Sequence, residues 1–148
     1  MKKMKNILVP TDFSKGFQKT LDYAVELAKS LKTELHIVHV IEPMVFFSDV
    51  VTNKFGFNEL PNELELIAEK DIEKISKNLI ERDVTFSTTI LHGKASDEIL
   101  DYAVKNHIDM ICIATHGQGN IENLLFGSTT EKVLRKAQCP VLSVRISV

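Results

Sequence analysis

Residues 113–130 read I-A-T-H-G-Q-G-N-I-E-N-L-L-F-G-S-T-T, and the fold turns on how they are parsed. The stretch begins as the tail of an apolar run, Met110 to Ala114, and ends on a Gly-Ser-Thr-Thr group placed to open a helix. It is therefore a loop hung between a strand and a helix. Gly117, Gly119 and Gly127 let the backbone approach a ligand closely, while Ser128, Thr129 and Thr130 set hydroxyls beside the free N–H groups of a helix start. Those are the parts of an anion cradle.

Outward from this loop, short apolar runs alternate with helical patterns. Asn6 to Pro10 reads as a buried strand, because Ile7, Leu8 and Val9 are contiguous and Pro10 is expected to stop the ladder. T-D-F-S at 11 to 14 makes a tight turn. Phe17, Leu21, Ala24, Val25, Ala28 and Leu31 then recur at three- and four-residue steps, predicting an amphipathic helix with Ser14 as N-cap. Glu34 to Ile41 is rich in β-branched residues and predicts a second strand. Residues 42–61 make a connection of about 20 residues, long for a compact domain. It carries Val45, Phe46, Phe47, Val50, Val51, Phe55 and Phe57, and is expected to pack onto its own domain, the alternative being a partner surface or lid. Leu64, Ile67, Ala68, Ile72, Ile75, Leu79 and Ile80 predict a long surface helix from Glu63 to Arg82.

Thr85 to Leu91 is the third predicted strand. Ser96 is expected to cap the next helix, with Asp97 and Glu98 suited to its dipole and Ile99, Leu100, Ala103 and Val104 facing inward. Met110 to Ala114 is strand four, a helix follows from about Thr129, and Val141 to Val148 is strand five. The βαβαβαβαβ order predicts an α/β fold of one domain, residues 1–148: three layers, with an open five-stranded parallel sheet covered on both faces. In a 3-2-1-4-5 order strands one and four are neighbours. The loops at their carboxyl ends, T-D-F-S and A-T-H-G, then meet at the switch point where such sheets bind ligands.

Composition narrows the function classes. The 148 residues are 44% hydrophobic and 26% charged with a formal net charge of -2, an ordinary globular balance with no basic footprint for nucleic acid. The N-terminal apolar stretch, Ile7 to Val9, is too short for a signal peptide, and no run approaches the ~18 apolar residues of a membrane span. A cytoplasmic protein is the expectation. Cys112 and Cys139 lack metal or redox spacing and read as reduced packing residues. His36 and His39, three apart on a strand, face opposite sides and do not make a metal site. Neither a Walker A motif nor G-x-G-x-x-G is present.

Several segments together carry a resemblance. P-T-D-F-S at 10 to 14, H-V-I-E at 39 to 42, G-K-A-S-D-E-I at 93 to 99, T-H-G at 115 to 117, G-S-T-T at 127 to 130 and the closing C-P-V-L-S-V are similar, in order and over essentially the whole chain, to the universal stress protein family. The nucleotide-binding branch of that family carries G-x-x-G, nine residues, then G-[ST]. Here Gly117, Gly127 and Ser128 fit and Ala114 replaces the first glycine. Were a positive φ needed at 114, alanine would cost on the order of 1–2 kcal/mol. Gln118 stands where many nucleotide-binding relatives have Arg or Lys.

The resemblance implies a Rossmann-like, adenine-nucleotide-binding fold. In it Asp12, with Pro10 and Thr11, faces adenine and ribose, and Val40 lines the base pocket. Ala114, Thr115, His116, Gly117, Gln118, Gly119 and Asn120, with Gly127, Ser128, Thr129 and Thr130, wrap the phosphates of ATP or AMP, and Mg²⁺ enters through those phosphates. Turnover beyond slow hydrolysis is not expected, because no general base or arginine finger is evident. A homodimer through the apolar edge Val141 to Val148 is expected from exposed-edge physics and from the resemblance alike. The leading expectation is a stress-response nucleotide sensor or switch. The alternative is a nucleotide-independent dimeric interaction module, in which Gly117 and Gly127 serve a turn and Asp12 caps a helix.

Overall fold

Contiguous apolar runs become strands here because a parallel sheet between two helical layers buries both of its faces. In the computed structural model, which describes residues 2–43, 60–117 and 125–146, there are five such strands. They are β1 (Asn6–Thr11), β2 (Glu34–Ile41), β3 (Phe86–His92), β4 (Met110–Ala114) and β5 (Val141–Val144). All pairs are parallel and the order is β3-β2-β1-β4-β5. The crossover helices are α1 (Lys15–Leu31), α2 (Leu60–Glu81), α3 (Ala95–Lys105) and α4 (Ser128–Lys136).

Alternation along each strand divides the core in two. Ile7, Val9, Leu35, Ile37 and Cys112 point to the face covered by α1 and α2, where they meet Phe17, Leu21, Val25, Ile72 and Leu79. Leu8, Val38, Ile111 and Ile113 point to the other face, against Ile99 and Ala103 of α3 and Val133 of α4. Removing one such fully buried side chain, as in Leu8→Ala, costs about 2–5 kcal/mol. At the start of β1 the Asp109 carboxylate accepts hydrogen bonds from the N–H groups of Lys5 (2.8 Å) and Asn6 (3.0 Å), which aligns β1 with the head of β4. The Lys5 N–H bond, joined by that of Asn6, holds the Asp109 carboxyl below its ordinary range.

Several boundaries differ from the sequence reading, each for a local reason. Pro10 does not stop the ladder: β1 runs on to Thr11, with Pro10 opposite Val38 and Thr11 opposite His39. Strand five ends at Val144 rather than Val148. Beyond it the Ile146 N–H turns to Thr115 Oγ1 (3.3 Å) and the Arg145 carbonyl accepts from Lys19 Nζ (2.9 Å), so the backbone ties the tail down instead of extending the strand. Residues 147 and 148 lie outside the described residues.

Ser96 is not the cap of α3. That helix starts at Ala95 after Gly93, whose φ of 141° completes the turn early, and a remote carboxylate, Glu42 Oε1, accepts the Ala95 N–H at 2.7 Å. Three apolar positions expected inside are outside: Ile67 is 56% exposed, Ile80 68% and Val104 53%. At about 100° per residue, Ala68, Ile72, Ile75 and Leu79 form one stripe on α2, and Ile67 and Ile80 fall to either side of it. The apolar connection, apart from its first and last residues, also lies outside the described residues.

Candidate functional site

The strand order creates a cleft by separating two strands. β1 and β4 are in register only at Ile7 with Met110 and Leu8 with Ile111, and by Pro10 and Ala114 they have parted. The opening is a cavity of about 250 Å³ at the carboxyl ends of the strands. Val38, Val40, Ile99 and Ile113 give it apolar walls; the end of β1 supplies Thr11 and Asp12, and the end of β4 with the adjoining start of α4 supplies His116, Gly117, Gly127, Ser128, Thr129 and Thr130.

Each side is held by its own backbone. After β1, Thr11 Oγ1 accepts the Phe13 N–H (2.9 Å) and Asp12 Oδ1 accepts the Ser14 N–H (3.0 Å), two short-range turns that aim the Asp12 carboxylate at the cleft. Phe13 is left-handed, with φ 61°, a conformation that costs a non-glycine residue about 1–2 kcal/mol. His39 offsets part of this. Its ring lies 4.3 Å from that of Phe13, and its Nδ1 is 2.8 Å from the Thr11 carbonyl. A carbonyl only accepts, so Nδ1 carries the proton.

After β4, Ala114 is the last strand residue and is not among the positive-φ positions, so the penalty weighed for alanine does not arise. Its carbonyl accepts from Thr130 Oγ1 at 2.7 Å, stitching the end of β4 to the first turn of α4. Thr115 is buried: its carbonyl accepts the Gly127 N–H (2.8 Å) and its hydroxyl faces the Ile146 N–H and His116 Nδ1 (3.2 Å). It supports the cleft without lining it. Gly117 is crowded by a neighbour, because a Cβ there would displace the Asp12 carboxylate from its place beside the cleft. Gly127 is not: a Cβ would find only ordinary contacts of 3.8–4.0 Å, with Thr115, His116 and Gly117.

Of the residues expected at the site, Pro10, Thr11, Asp12, Val40, Ala114, His116, Gly117 and Gly127 to Thr130 line the one cleft; Gln118, Gly119 and Asn120 lie outside the described residues. The sequence reading missed Phe17, Val38, Ala95, Ile99 and Ile113. For Val38 a signal existed, since it precedes Val40 by two and shares its face.

Elsewhere, His36 sits on the α3 side of the sheet, with Nδ1 3.0 Å from the Tyr102 hydroxyl, and His39 sits on the α1 side beside Phe13. Burial lowers the pKa of His36 and the Glu34 carboxylate partly opposes this. Burial pushes the Cys112 thiol up to about 12, and both cysteines are free. No described helix is long and apolar enough to cross a membrane, and the described residues hold no cluster of three metal-ligating side chains.

Comparison with known proteins agrees with this architecture. The chain is 32% identical over 142 residues to a universal stress protein, MJ0531, of Methanocaldococcus jannaschii, covering 95% of this chain and 82% of that one. It is 31% identical to the Bacillus subtilis universal stress protein YxiE, over 94% of this chain and 97% of the other. The solved universal stress protein UspA from Lactobacillus plantarum superposes with a TM-score of 0.86 at 24% identity, over 98% and 100% of the two chains. Two further proteins of this fold, each 18% identical, were solved in complex with cAMP (TM-score 0.73, 99% and 100% covered) and, from Archaeoglobus fulgidus, with dAMP (0.67, 96% and 98%). With the sequence model of the universal stress protein family matching residues 3–145, nearly the full length over which the strands and both cleft loops extend, the chain belongs to that family.

Proposed function

We propose that the chain is a stress-response protein that binds an adenine nucleotide, ATP or AMP, in the cleft between β1 and β4, and acts as a sensor or switch without significant turnover. One observation carries the reading: apolar walls, a carboxylate and a hydroxyl-rich helix start converge on a single cavity at the topological switch point. Val38, Val40 and Pro10 suit a flat base. Asp12 suits the ribose hydroxyls, which donate to it. The first-turn N–H groups of α4, with Ser128 and Thr129, suit phosphate oxygens. Gly127, unneeded by its own neighbours, keeps open the space through which phosphate reaches the Gly117 N–H. That the fold accommodates cAMP and dAMP in distant proteins is consistent with this, though at 18% identity the likeness carries the fold alone.

Switching is favoured over hydrolysis because no general base or arginine finger is evident in the sequence, so turnover would be slow even with Mg²⁺ carried in on the phosphates. Calorimetric titration with Mg²⁺-ATP is expected to show one site per chain. Absence of heat at millimolar nucleotide, with no nucleotide released on denaturing the purified protein, would leave the interaction-module reading in its place.

The reading extends to a homodimer that covers the β5 edge, where Val141 and Leu142 are only partly buried. Sedimentation at micromolar concentration is expected to give twice the chain mass. A cytoplasmic location suits the free thiols of Cys112 and Cys139, and cell fractionation checks it.

A further inference from the structure

A second cavity, of about 440 Å³, adjoins the cleft and shares Ser128 and Thr129 with it. We propose that this cavity, between the first turns of α3 and α4, is a phosphate subsite that the Glu42 carboxylate occupies as a built-in competitor. The source of the phosphate rests on the nucleotide reading; the cavity itself does not.

Four observations converge. First, the N-termini of two helices of 11 and 9 residues open on the same space, each with first-turn N–H groups that have no intrahelical acceptor. Second, Ser96 is only 2% exposed yet lines the cavity, and its hydroxyl has no hydrogen-bond partner among the described residues. That hydroxyl can donate to an oxyanion held in the cavity. Third, Lys94 and Lys132 line the same space and supply the cations that the cleft lacks. The hydrogen bond from Lys132, at 2.6 Å, together with the charges of Lys94 and Lys136, holds the Asp97 carboxyl below its ordinary value. Lys94 and Lys132 thus face the Glu42 carboxylate across the cavity, with Asp97 held by Lys132 and the Glu98 carboxylate beside Gly93 at its edge. Fourth, Glu42 Oε1 already sits on the Ala95 N–H at 2.7 Å, so an oxyanion does bind at this helix start, and the chain provides it.

Glu42 is exposed and can swing into water, which frees the Ala95 N–H and leaves Lys94 and Lys132 to face an incoming phosphate. Either the terminal phosphates of a nucleotide held in the cleft or free phosphate would meet the same groups: the Ala95 N–H, Ser96 Oγ and Lys94 Nζ. Ser128 and Thr129 border both cavities, so a polyphosphate chain passes from one to the other over the start of α4.

The test is calorimetric titration of the full chain with adenosine, ATP and inorganic pyrophosphate, for the parent and for Glu42→Gln and Lys94→Gln. Glutamine at 42 keeps an oxygen to accept the Ala95 N–H while removing the competing charge, and Lys94 is exposed, so circular dichroism is expected to show both variants folded. Glu42→Gln is expected to tighten ATP about three- to tenfold and Lys94→Gln to weaken it by a similar factor, with adenosine unchanged within about twofold. If pyrophosphate alone follows the two substitutions and adenosine does not bind, the subsite stands as a free-phosphate site and the nucleotide reading falls. If adenosine binds but ATP and pyrophosphate ignore both substitutions, the subsite is overturned while the nucleotide reading survives. Silence from all three ligands overturns both.

Discussion

Two glycines of the cleft look alike in sequence and differ in what they are for. Gly117 is constrained from within, because Asp12 Oδ2 occupies the space a side chain would need, whereas Gly127 has room for a methyl group and a φ of -67° that any residue adopts. Gly127→Ala should therefore leave the melting temperature within about 2 °C of the parent. On the nucleotide reading it should nonetheless weaken binding by about tenfold or more, since the methyl would lie 4.0 Å from Gly117 N, where a phosphate oxygen would approach. Thermal melting paired with titration separates the two effects, and unchanged affinity would count against phosphate at this position. Ser14 gives a second contrast. It holds the N-cap position of α1 without a side-chain cap bond, and its Oγ is buried without a partner. An N-cap serine usually contributes ~1 kcal/mol. Here Ser14→Ala should cost less than about 0.5 kcal/mol by urea denaturation, because no cap bond is lost and an unsatisfied buried hydroxyl is removed.

At the scale of elements, β2 and α3 share a buried histidine whose titration should be visible in stability. His36 Nδ1 meets the Tyr102 hydroxyl while Nε2 is buried and unpartnered, and burial lowers its pKa from 6.5. In the unfolded chain the ring protonates at its ordinary value, and in the folded chain only at lower pH. The unfolded state then binds more protons in that window, so the stability His36 supports is complete above about pH 6.5 and is lost as pH falls below it. Facing groups modulate this: Glu34 opposes the shift, and Tyr102 and Ser87 offer only neutral hydroxyls. Urea midpoints from pH 7.5 to 5 should decline in the parent and flatten in His36→Gln. The lowered Asp97 and Asp109 act only near pH 4 and below, so they do not enter this window.

For the whole molecule, the cleft joins the two halves of the sheet, so a bound ligand should stabilise the fold as a unit. A ligand present at a hundredfold its dissociation constant adds about 2.7 kcal/mol, which for a chain of this size corresponds to roughly 5–10 °C in melting temperature. ATP is expected to raise the melting temperature by that amount in the parent and by little in Gly127→Ala. The C-terminal tail belongs to the same unit: Ile146 packs over Gly16 at the start of α1, and its N–H reaches the Thr115 hydroxyl beneath the cleft.

Periodicity alone determined most of the architecture. The β-branched stretch at Glu34 to Ile41 and the apolar run at Met110 to Ala114 matched β2 and β4 at both ends, and the alternation of strand and helix implied the parallel order, because crossover handedness and burial on both faces leave few other arrangements. That the described residues of the loops at 10 to 14 and 113 to 130 line one cleft was legible because glycine and hydroxyl residues sit where strands end. Tertiary structure decided what local pattern does not encode. It showed that α3 is capped by Glu42 across the chain rather than by Ser96, and that the Asp12 carboxylate fills the space beside Gly117. It also showed that Ala114 lies in ordinary strand geometry, and that Arg145 and Ile146 are tied to Lys19 and Thr115 instead of lengthening β5. Each of these is a contact between residues far apart in sequence, and sequence spacing records only the partners a residue meets along its own helix or strand.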